Sequence, residues 1–278
     1  TPVGTVVHTG DFKMDQTPVD GEVMDYARFS EYGESGVLLF MSDSTNVEKE
    51  GYTLSEREIG YNLEEIFRKC SGRIIVAAFS SNIHRVQQVM DAAEKFGRKV
   101  VLNGRSMVAN SRIAKALGYL KVSDDLLVDL RDLDSLAHDK VVLLTTGSQG
   151  EPMSALTRMA MDNHKQIKVT KGDTVILSSK FIPGHEKAIS TMMNHLYRRG
   201  ADVIYEKVSE VHVSGHASRE ELKIILNMVK PRFFMPVHGE YRHLVLHGRL
   251  AQTVGIPEAN TMLAEDGDAV TLTAESST

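Results

Sequence analysis

Two histidines in this sequence follow short apolar runs, and each has a glycine as a direct neighbour. His216 lies in Ser-Gly-His-Ala-Ser and His238 lies in Pro-Val-His-Gly-Glu. Val211 and Val213 precede the first, and residues 233–237 (FFMPV) precede the second, so each histidine is predicted to follow a β-strand. Imidazole can bind a metal ion or transfer a proton near neutral pH, and glycine lets a ligand approach the backbone. Either histidine taken alone is more simply an ordinary surface or core residue, but two of them at matching strand ends favour a functional site.

Two aspartates follow other predicted strands. Asp11 comes after the β-branched run of residues 3–9, and Asp43 comes after the apolar run of residues 37–41. A carboxylate can bind a metal ion or orient a histidine. Each aspartate could instead form a turn by bonding to its own backbone. At this point the sequence leaves both interpretations open.

The segment between the two histidines predicts a helix. Ser218 can cap its start, acidic residues follow in the first turn, and Pro231 ends it. A strand, helix and strand in succession place both strand ends at the same edge of a sheet. His216 and His238 are therefore expected to lie close together.

From residue 55 onward the sequence alternates between helical and strand patterns. The predicted strands cover residues 73–79, 99–102, 141–145, 174–178 and 202–205. The predicted helices cover residues 55–69 and 83–96, and two more end near residues 117 and 199. This alternation predicts a parallel sheet with its loops at the carboxyl edge. Residues 14–34 are predicted to be irregular, and residues 261–264 and 269–272 to form a final strand pair.

Several basic residues fall at the predicted strand-to-helix junctions. They are Arg85, Arg105, Lys180, His185 and Lys187. The formal net charge of -5 argues against a protein that is basic all over, so this concentration favours a local anion-binding surface over an ordinary solvated face. The turn Gly147-Ser148-Gln149-Gly150 could add backbone amides for a phosphate, although it lacks the lysine of a P-loop.

Composition narrows the classes of function. The 278 residues, 42% hydrophobic and 25% charged, are typical of a globular protein with a sizeable core. No apolar run approaches the roughly 20 residues that span a bilayer, so no membrane partner is expected. The single cysteine, Cys70, excludes an internal disulfide and a cysteine-based zinc cluster, and it indicates a reducing compartment such as the cytoplasm. It is expected to lie inertly at a helix end.

A second pair of histidines lies on a helix predicted over residues 242–254. His243 and His247 are one helical turn apart and could share a metal ion. The preferred interpretation places both on the helix surface.

The four candidate side chains, in this order and with an α/β segment between the aspartates and the histidines, resemble the metallo-β-lactamase nucleases that carry a β-CASP domain. Within these they are similar to the bacterial ribonuclease J family, as are residues 79–88 (FSSNIHRVQQ), 147–152 and 181–186. The resemblance covers nearly the whole chain. It implies an α/β fold in which the C-terminal part of a metallo-β-lactamase (αββα) domain, residues 1–54 and 208–278, carries a parallel-sheet β-CASP domain over residues 55–207.

The resemblance also implies a role for each candidate residue. Asp11 is expected to bridge two divalent metal ions, zinc or alternatively manganese, and His238 to bind one of them. His216 is expected to contact the scissile phosphate or protonate the leaving oxygen, with Asp43 orienting it. The resemblance places Ser214 and Gly215 beside His216 on the phosphate. The RNA-binding residues expected together with these three are Ser81, His84, Arg85, Arg105, Lys180 and His185.

By this resemblance the chain is expected to belong to a metal-dependent ribonuclease of RNA decay and maturation, cutting from the 5′ end and internally. Its partners would be RNA, further copies in a homodimer or homotetramer, and other RNA-decay proteins. The family's His-x-His-x-Asp-His signature does not precede Asp11 and its C-terminal extension is missing. The chain is therefore expected to be a fragment that supplies two metal ligands and is inactive alone. The alternatives are an RNA 3′-end-processing β-CASP endonuclease and a non-catalytic RNA-binding or assembly module.

Overall fold

The computed structural model describes residues 1–182 and 184–273 and divides the chain into two compact units. The first unit contains Thr1–Leu54 and Ser214–Thr278, and the second contains Ser55–Val213. Pro183, which belongs to the segment 181–186 singled out above, lies outside the described residues. Each unit is built around its own parallel sheet, which confirms the α/β fold class.

The elements follow one another along the chain as strands and helices of ordinary length. The strands are β1 (Val6–His8), β2 (Leu39–Asp43), β3 (Ile74–Ala77), β4 (Lys99–Asn103), β5 (Val141–Thr145), β6 (Thr174–Leu177), β7 (Asp202–Ile204) and β8 (Phe233–Val237). The helices are α1 (Tyr26–Ser35), α2 (Glu56–Lys69), α3 (Ile83–Lys95), α4 (Arg105–Ala116), α5 (Ala155–Ala160), α6 (Glu186–Arg198), α7 (Arg219–Val229) and α8 (Tyr241–Thr253).

The sheet of the first unit has the order β1-β2-β8, with all strands parallel. In the ladder between β2 and β8, Asp43 is paired with Val237, so both strands end side by side. Helices α1 and α7 pack against each other so closely that a Cβ added at Gly33 would lie 2.0 Å from the carbonyl oxygen of Met228. Because the strands end side by side, the candidate residues of the first unit lie at the carboxyl edge of this small sheet.

The sheet of the second unit has the order β4-β5-β3-β6-β7 and is also parallel. Alternate residues of β3 face two separate cores, Ile74 and Val76 on the side of α2 and α3, and Ile75 and Ala77 on the side of α5 and α6. Because helices cover both faces, the strands are continuous apolar runs and were predictable from the sequence. No helix in the described part of the chain combines the length and the apolar character needed to cross a lipid bilayer.

Local capping sets the helix ends where the sequence predicts them. The Ser55 side chain accepts a hydrogen bond from the amide of Arg57 at the start of α2. Cys70 is the C-cap of the same helix, which confirms its predicted position. At the start of α7, Ser218 and Glu221 form the reciprocal pair of bonds known as a capping box. At its end, the C-cap residue Lys230 has a left-handed backbone conformation.

Three local predictions were wrong. Residues 14–34 are not wholly irregular, because α1 begins after Asp25, although no residue of this helix is fully buried. No strand forms at Val211 and Val213, which are buried in an irregular segment. The predicted final strand pair does not form within the described residues, where Thr261 makes an isolated bridge to Phe234 and Leu272 is a second bridge residue.

Candidate active site

The carboxyl edge of the first sheet brings the four candidate side chains together. Asp43 ends β2, His238 follows β8, and Asp11 follows β1. The rings of His216 and His238 lie 5.4 Å apart between centroids, so the predicted proximity of the two histidines is confirmed. The predicted reason was wrong, because no strand precedes His216.

The loop that carries His216 is held by side chains from the segment after β2. Asn46 donates from Nδ2 to the Ser214 hydroxyl at 2.7 Å and to the carbonyl oxygen of His216 at 2.9 Å. The Thr53 hydroxyl donates to the same carbonyl at 2.8 Å. Gly215 is exposed, and a Cβ added there would meet nothing within 4 Å. These bonds place His216 without a strand and leave the backbone at Gly215 open to a ligand.

Asp43 and His216 form a short hydrogen bond. Oδ2 of Asp43 lies 2.7 Å from Nδ1 of His216, and the aspartate is buried. Burial by itself raises the pKa of Asp43, but hydrogen bonds from His216 and from the amide and hydroxyl of Thr45 outweigh it and bring the pKa below its ordinary value. The aspartate is therefore a carboxylate at neutral pH, and Nδ1 of His216 carries the proton that it accepts.

Asp11 and His238 form the second, more exposed part of the site. Oδ1 of Asp11 is 3.7 Å from Nε2 of His238. With His216 they form a cluster whose ligand atoms all lie within 4.8 Å of one another. His238 has a positive φ of 63°, a strained conformation for a residue with a side chain. One carboxylate and imidazole nitrogens are ligands that suit zinc or manganese, so the donor set fits a divalent metal ion.

Glu221 was predicted only as a favourable acidic residue in the first turn of α7. In the structure its carboxylate is fully buried and accepts from three backbone amides, those of Met14, Thr53 and Ser218, each at 2.7 Å. It thereby ties the segment after Asp11 to the two segments that hold His216. Two of these amides are distant in the sequence, so local pattern carries no signal for this role.

The preferred surface placement of His243 and His247 was wrong, because both are buried. His243 accepts from the amide of Glu240 at Nδ1 and lies 3.2 Å from Glu48 Oε2 at Nε2. His247 lies 3.0 Å from the Ser44 hydroxyl at Nδ1. Complete burial lowers the pKa of His247 to about 3, against the opposing effect of the Asp43 carboxylate. Neither histidine belongs to a metal-ligand cluster in the part of the chain that the structure describes.

In the second unit, most of the predicted RNA-binding residues lie where the strands of the sheet end. Ser81 follows β3, Arg105 follows β4 and Lys180 follows β6, and all three are exposed. His84 and His185 are half-buried, at the starts of α3 and α6. Because the sheet is parallel, all five lie at its carboxyl edge. The basic surface itself stays a prediction.

Arg85 was predicted to share that surface, and this placement was wrong. Its side chain is 0% exposed. It pairs with Glu56 at 2.7 Å, donates to the carbonyl oxygen of Val211 at 2.6 Å, and also bonds to Ser178 and Gln88. Burial lowers the pKa of Arg85, and the Glu56 carboxylate opposes that effect. Arg85 therefore fastens α3 to its surroundings.

The turn Gly147-Ser148-Gln149-Gly150 is buried. A Cβ at Gly147 would lie 2.2 Å from the Ser154 hydroxyl, and one at Gly150 would lie 2.7 Å from the carbonyl carbon of Ala188. The following helix, α5, has only six residues. Gln149 uses its amide to bond to Ser179 at 2.9 Å. Close packing therefore accounts for these glycines, and the phosphate-cradle interpretation loses its support.

Comparison with known proteins identifies relatives over nearly the whole chain. The family described as "Ribonuclease J, beta-CASP domain" matches residues 71–196, and the family described as "Zn-dependent metallo-hydrolase RNA specificity domain" matches residues 200–259. A "Ribonuclease J" of Thermus thermophilus is 50% identical over 275 residues, 99% of this chain and 48% of the relative. That of Mycolicibacterium smegmatis is 49% identical over 274 residues, 99% and 49%, and that of Synechocystis is 46% identical over 275 residues, 99% and 43%. The chain spans no more than about half the length of these relatives.

Proposed function

The chain belongs to the β-CASP family of the metallo-β-lactamase superfamily, and from this premise we propose that its protein is a metal-dependent ribonuclease of the ribonuclease J type. One observation carries the proposal most directly. A buried, charged Asp43 holds His216 at 2.7 Å, and Asp11 and His238, which could bind a metal ion, lie next to His216 at the same sheet edge. Acid–base and metal-binding groups meet there, as hydrolysis of a phosphodiester requires.

We assign the two units of the fold to the two parts of this family's architecture. Residues 1–54 and 208–278 would form the metallo-β-lactamase part, and residues 55–207 the inserted β-CASP domain. The compact units support this division, although the second unit runs to Val213. The small parallel sheet would then carry the chemistry, and the larger sheet would carry basic residues that bind RNA.

Asp11 and His238 are the residues of this chain that would hold the metal. Their carboxylate and imidazole groups suit zinc, which one matching family names, and also manganese. We propose two ions, for which Asp11 and His238 would supply ligands. When bound, such ions would supply a hydroxide at neutral pH and offset negative charge on the phosphate oxygens.

His216 would move a proton at the scissile bond. The Asp43 carboxylate keeps the proton of the neutral ring on Nδ1, so Nε2 is the nitrogen that faces proton exchange with substrate. When the ring is protonated, Asp43 stabilises its positive charge, and Nε2 can donate to the leaving oxygen. Ser214 and Gly215 would lie against the phosphate, where the exposed backbone of Gly215 allows close approach.

RNA is the proposed substrate because one matching family is described as an RNA specificity domain. Because the chain has a net charge of -5, its contacts to the phosphate backbone of RNA must come from a local basic surface. We assign them to Ser81, His84, Arg105, Lys180 and His185, and we withdraw Arg85 because it is buried. We also propose that the protein forms a homodimer or homotetramer and contacts other RNA-decay proteins. Its one cysteine is free, in keeping with a cytoplasmic location.

Cleavage of RNAs with different 5′ ends tests the proposed reaction. We expect the enzyme that carries this chain to prefer a 5′-monophosphate over a 5′-triphosphate, and to lose activity in Asp11→Ala and His216→Ala. Asp266→Ala and His138→Ala change exposed residues of the same types and should leave cleavage unchanged. Indifference to the 5′ end with internal cutting would favour a 3′-end-processing endonuclease. Unchanged cleavage in both site variants would mean that Asp11 and His216 do not catalyse it. This chain would then be better explained as a non-catalytic RNA-binding module.

Calorimetric titration with zinc and manganese tests the metal site apart from activity. We expect binding to weaken in Asp11→Ala and in His238→Ala, because each change removes one donor of the cluster. Asp266→Ala serves again as the control. Equal affinity in all four proteins would remove Asp11 and His238 from the proposed site.

A further inference from the structure

Two of the contacts that place His216 come from the end of β2 and the turn that follows it. Asp43 binds its ring at Nδ1, and Asn46 binds its carbonyl oxygen. Between these two residues lies Ser44, whose buried hydroxyl is 3.0 Å from Nδ1 of His247 on α8. Ser44 therefore connects the turn that holds His216 to α8.

His247 is an unusual residue for its surroundings. Its ring is 0% exposed and packs edge-on against Phe234, with 4.8 Å between centroids. Leu244, Leu250 and Ala251 are its buried neighbours on α8. Within the described residues its Nε2 has no hydrogen-bond partner. A buried polar atom without a partner costs free energy, so packing alone would favour an apolar side chain here. The bond to Ser44 is what a leucine could not provide.

The turn is held on its other side by the sheet. The amide of Asp43 donates to the Thr9 hydroxyl at 3.1 Å, and the amide of Val47 donates to the carbonyl oxygen of Ser44 at 3.1 Å. Thr9 thus restrains the start of the turn and His247 restrains its inner face. Hydrogen bonds weaken steeply with distance and angle, so a shift of this turn would weaken the 2.7 Å contact between Asp43 and His216.

We propose that His247 is a positioning residue for the Asp43–His216 pair: through Ser44 it holds the turn after β2 so that the Asp43 carboxylate stays aligned with Nδ1 of His216. The ring acts as a neutral polar support from the helix side, and it contacts neither substrate nor metal. The effect on turnover rests on the proposed ribonuclease function, whereas the effect on the pair itself does not.

Two substitutions separate positioning from packing. His247→Leu fills most of the space but removes the bond, whereas His247→Asn retains an amide nitrogen near the position of Nδ1. We expect His247→Leu to lower kcat by about 10- to 100-fold with little change in KM, since misplacement of a reacting group by about 1 Å costs on that order. The midpoint of thermal unfolding should not fall, and His247→Asn should recover most of the lost turnover. Ser44→Ala should match His247→Leu, and the double variant should be no worse than either single one.

The pair can also be observed without RNA or metal. The proton on Nδ1 of His216, in a short bond to a carboxylate, should give a downfield proton NMR signal that disappears in His216→Ala. We expect His247→Leu and Ser44→Ala to shift or broaden this signal, His247→Asn to retain it, and His138→Ala to leave it unchanged. A folded His247→Leu protein with an unchanged signal and unchanged kcat would overturn the proposal. If His247→Leu fails to fold, the same signal in Ser44→Ala decides. If the native protein does not cleave RNA but the signal is altered in His247→Leu and Ser44→Ala, the proposed function is refuted and the positioning role of His247 stands.

Discussion

Asp43→Asn keeps the size of the side chain and removes its charge, so it tests the electrostatics of the site most directly. In the native protein the buried carboxylate accepts from Nδ1 of His216 at 2.7 Å, and from Thr45 at its other oxygen. Asparagine can still accept from Thr45 through its carbonyl oxygen. The amide nitrogen would then face Nδ1 of His216 with a second donor. The variant must therefore lose the bond or force the histidine into the other tautomer.

The size of the effect follows from the type of bond. A hydrogen bond to a charged group contributes about 1.5–3 kcal/mol, and the lost bond should lower the free energy of unfolding by that order. Loss of a correctly placed general acid lowers turnover by about 100- to 10,000-fold. Turnover should therefore fall by more than this loss of stability would cause, because the variant no longer holds His216 in its native position and tautomer.

The pH dependence of stability gives the clearest assay. The pKa of Asp43 is lower in the folded protein than its ordinary value. The charged carboxylate therefore contributes stability that is complete above the unfolded pKa of about 3.9 and is lost as pH falls through the folded pKa. In urea titrations, the difference in free energy of unfolding between native protein and Asp43→Asn should be largest near neutral pH and should close in acid. Asp266→Asn, at an exposed position, should show no such difference. A difference that stays constant down to strong acid would refute the reasoning.

Three further predictions concern stability and RNA affinity. Arg85→Met should destabilise the protein by about 3–5 kcal/mol in urea titrations, because it removes the cation from a buried ion pair; a loss below 1 kcal/mol would mean that the pair is not buried. Gly33→Ala should lower the thermal midpoint because its Cβ would overlap backbone of α7, whereas Gly215→Ala, which meets nothing within 4 Å, should not; equal midpoints would contradict the close helix contact. Arg105→Ala and Lys180→Ala should weaken RNA binding at low salt, each reducing the slope of log affinity against log salt by about 1, and unchanged slopes would make these residues ordinary surface.

The sequence by itself determined the type of fold and most of its elements. Strand β5 coincides with the predicted residues 141–145, because a strand covered on both faces is a continuous apolar run. The start of α2 follows Ser55 because a cap is a local interaction. The nearness of His216 and His238 was also predicted, although through a strand that does not form. Signals of this kind arise within a few residues of the chain, so they survive without knowledge of the tertiary structure.

Only the tertiary structure decided which ionisable side chains are buried and what they hold. Arg85 and His247 have the residue types of a protein surface, and sequence reasoning placed them there. Arg85 is buried against Glu56, 29 residues away, and His247 against Ser44, 203 residues away. The contact between Asp43 and His216 spans 173 residues. Each of these pairs exists because distant elements pack together and remove water from between them. Hydropathy and local spacing do not contain that information, because burial and charge pairing are properties of the folded surroundings and not of the residue.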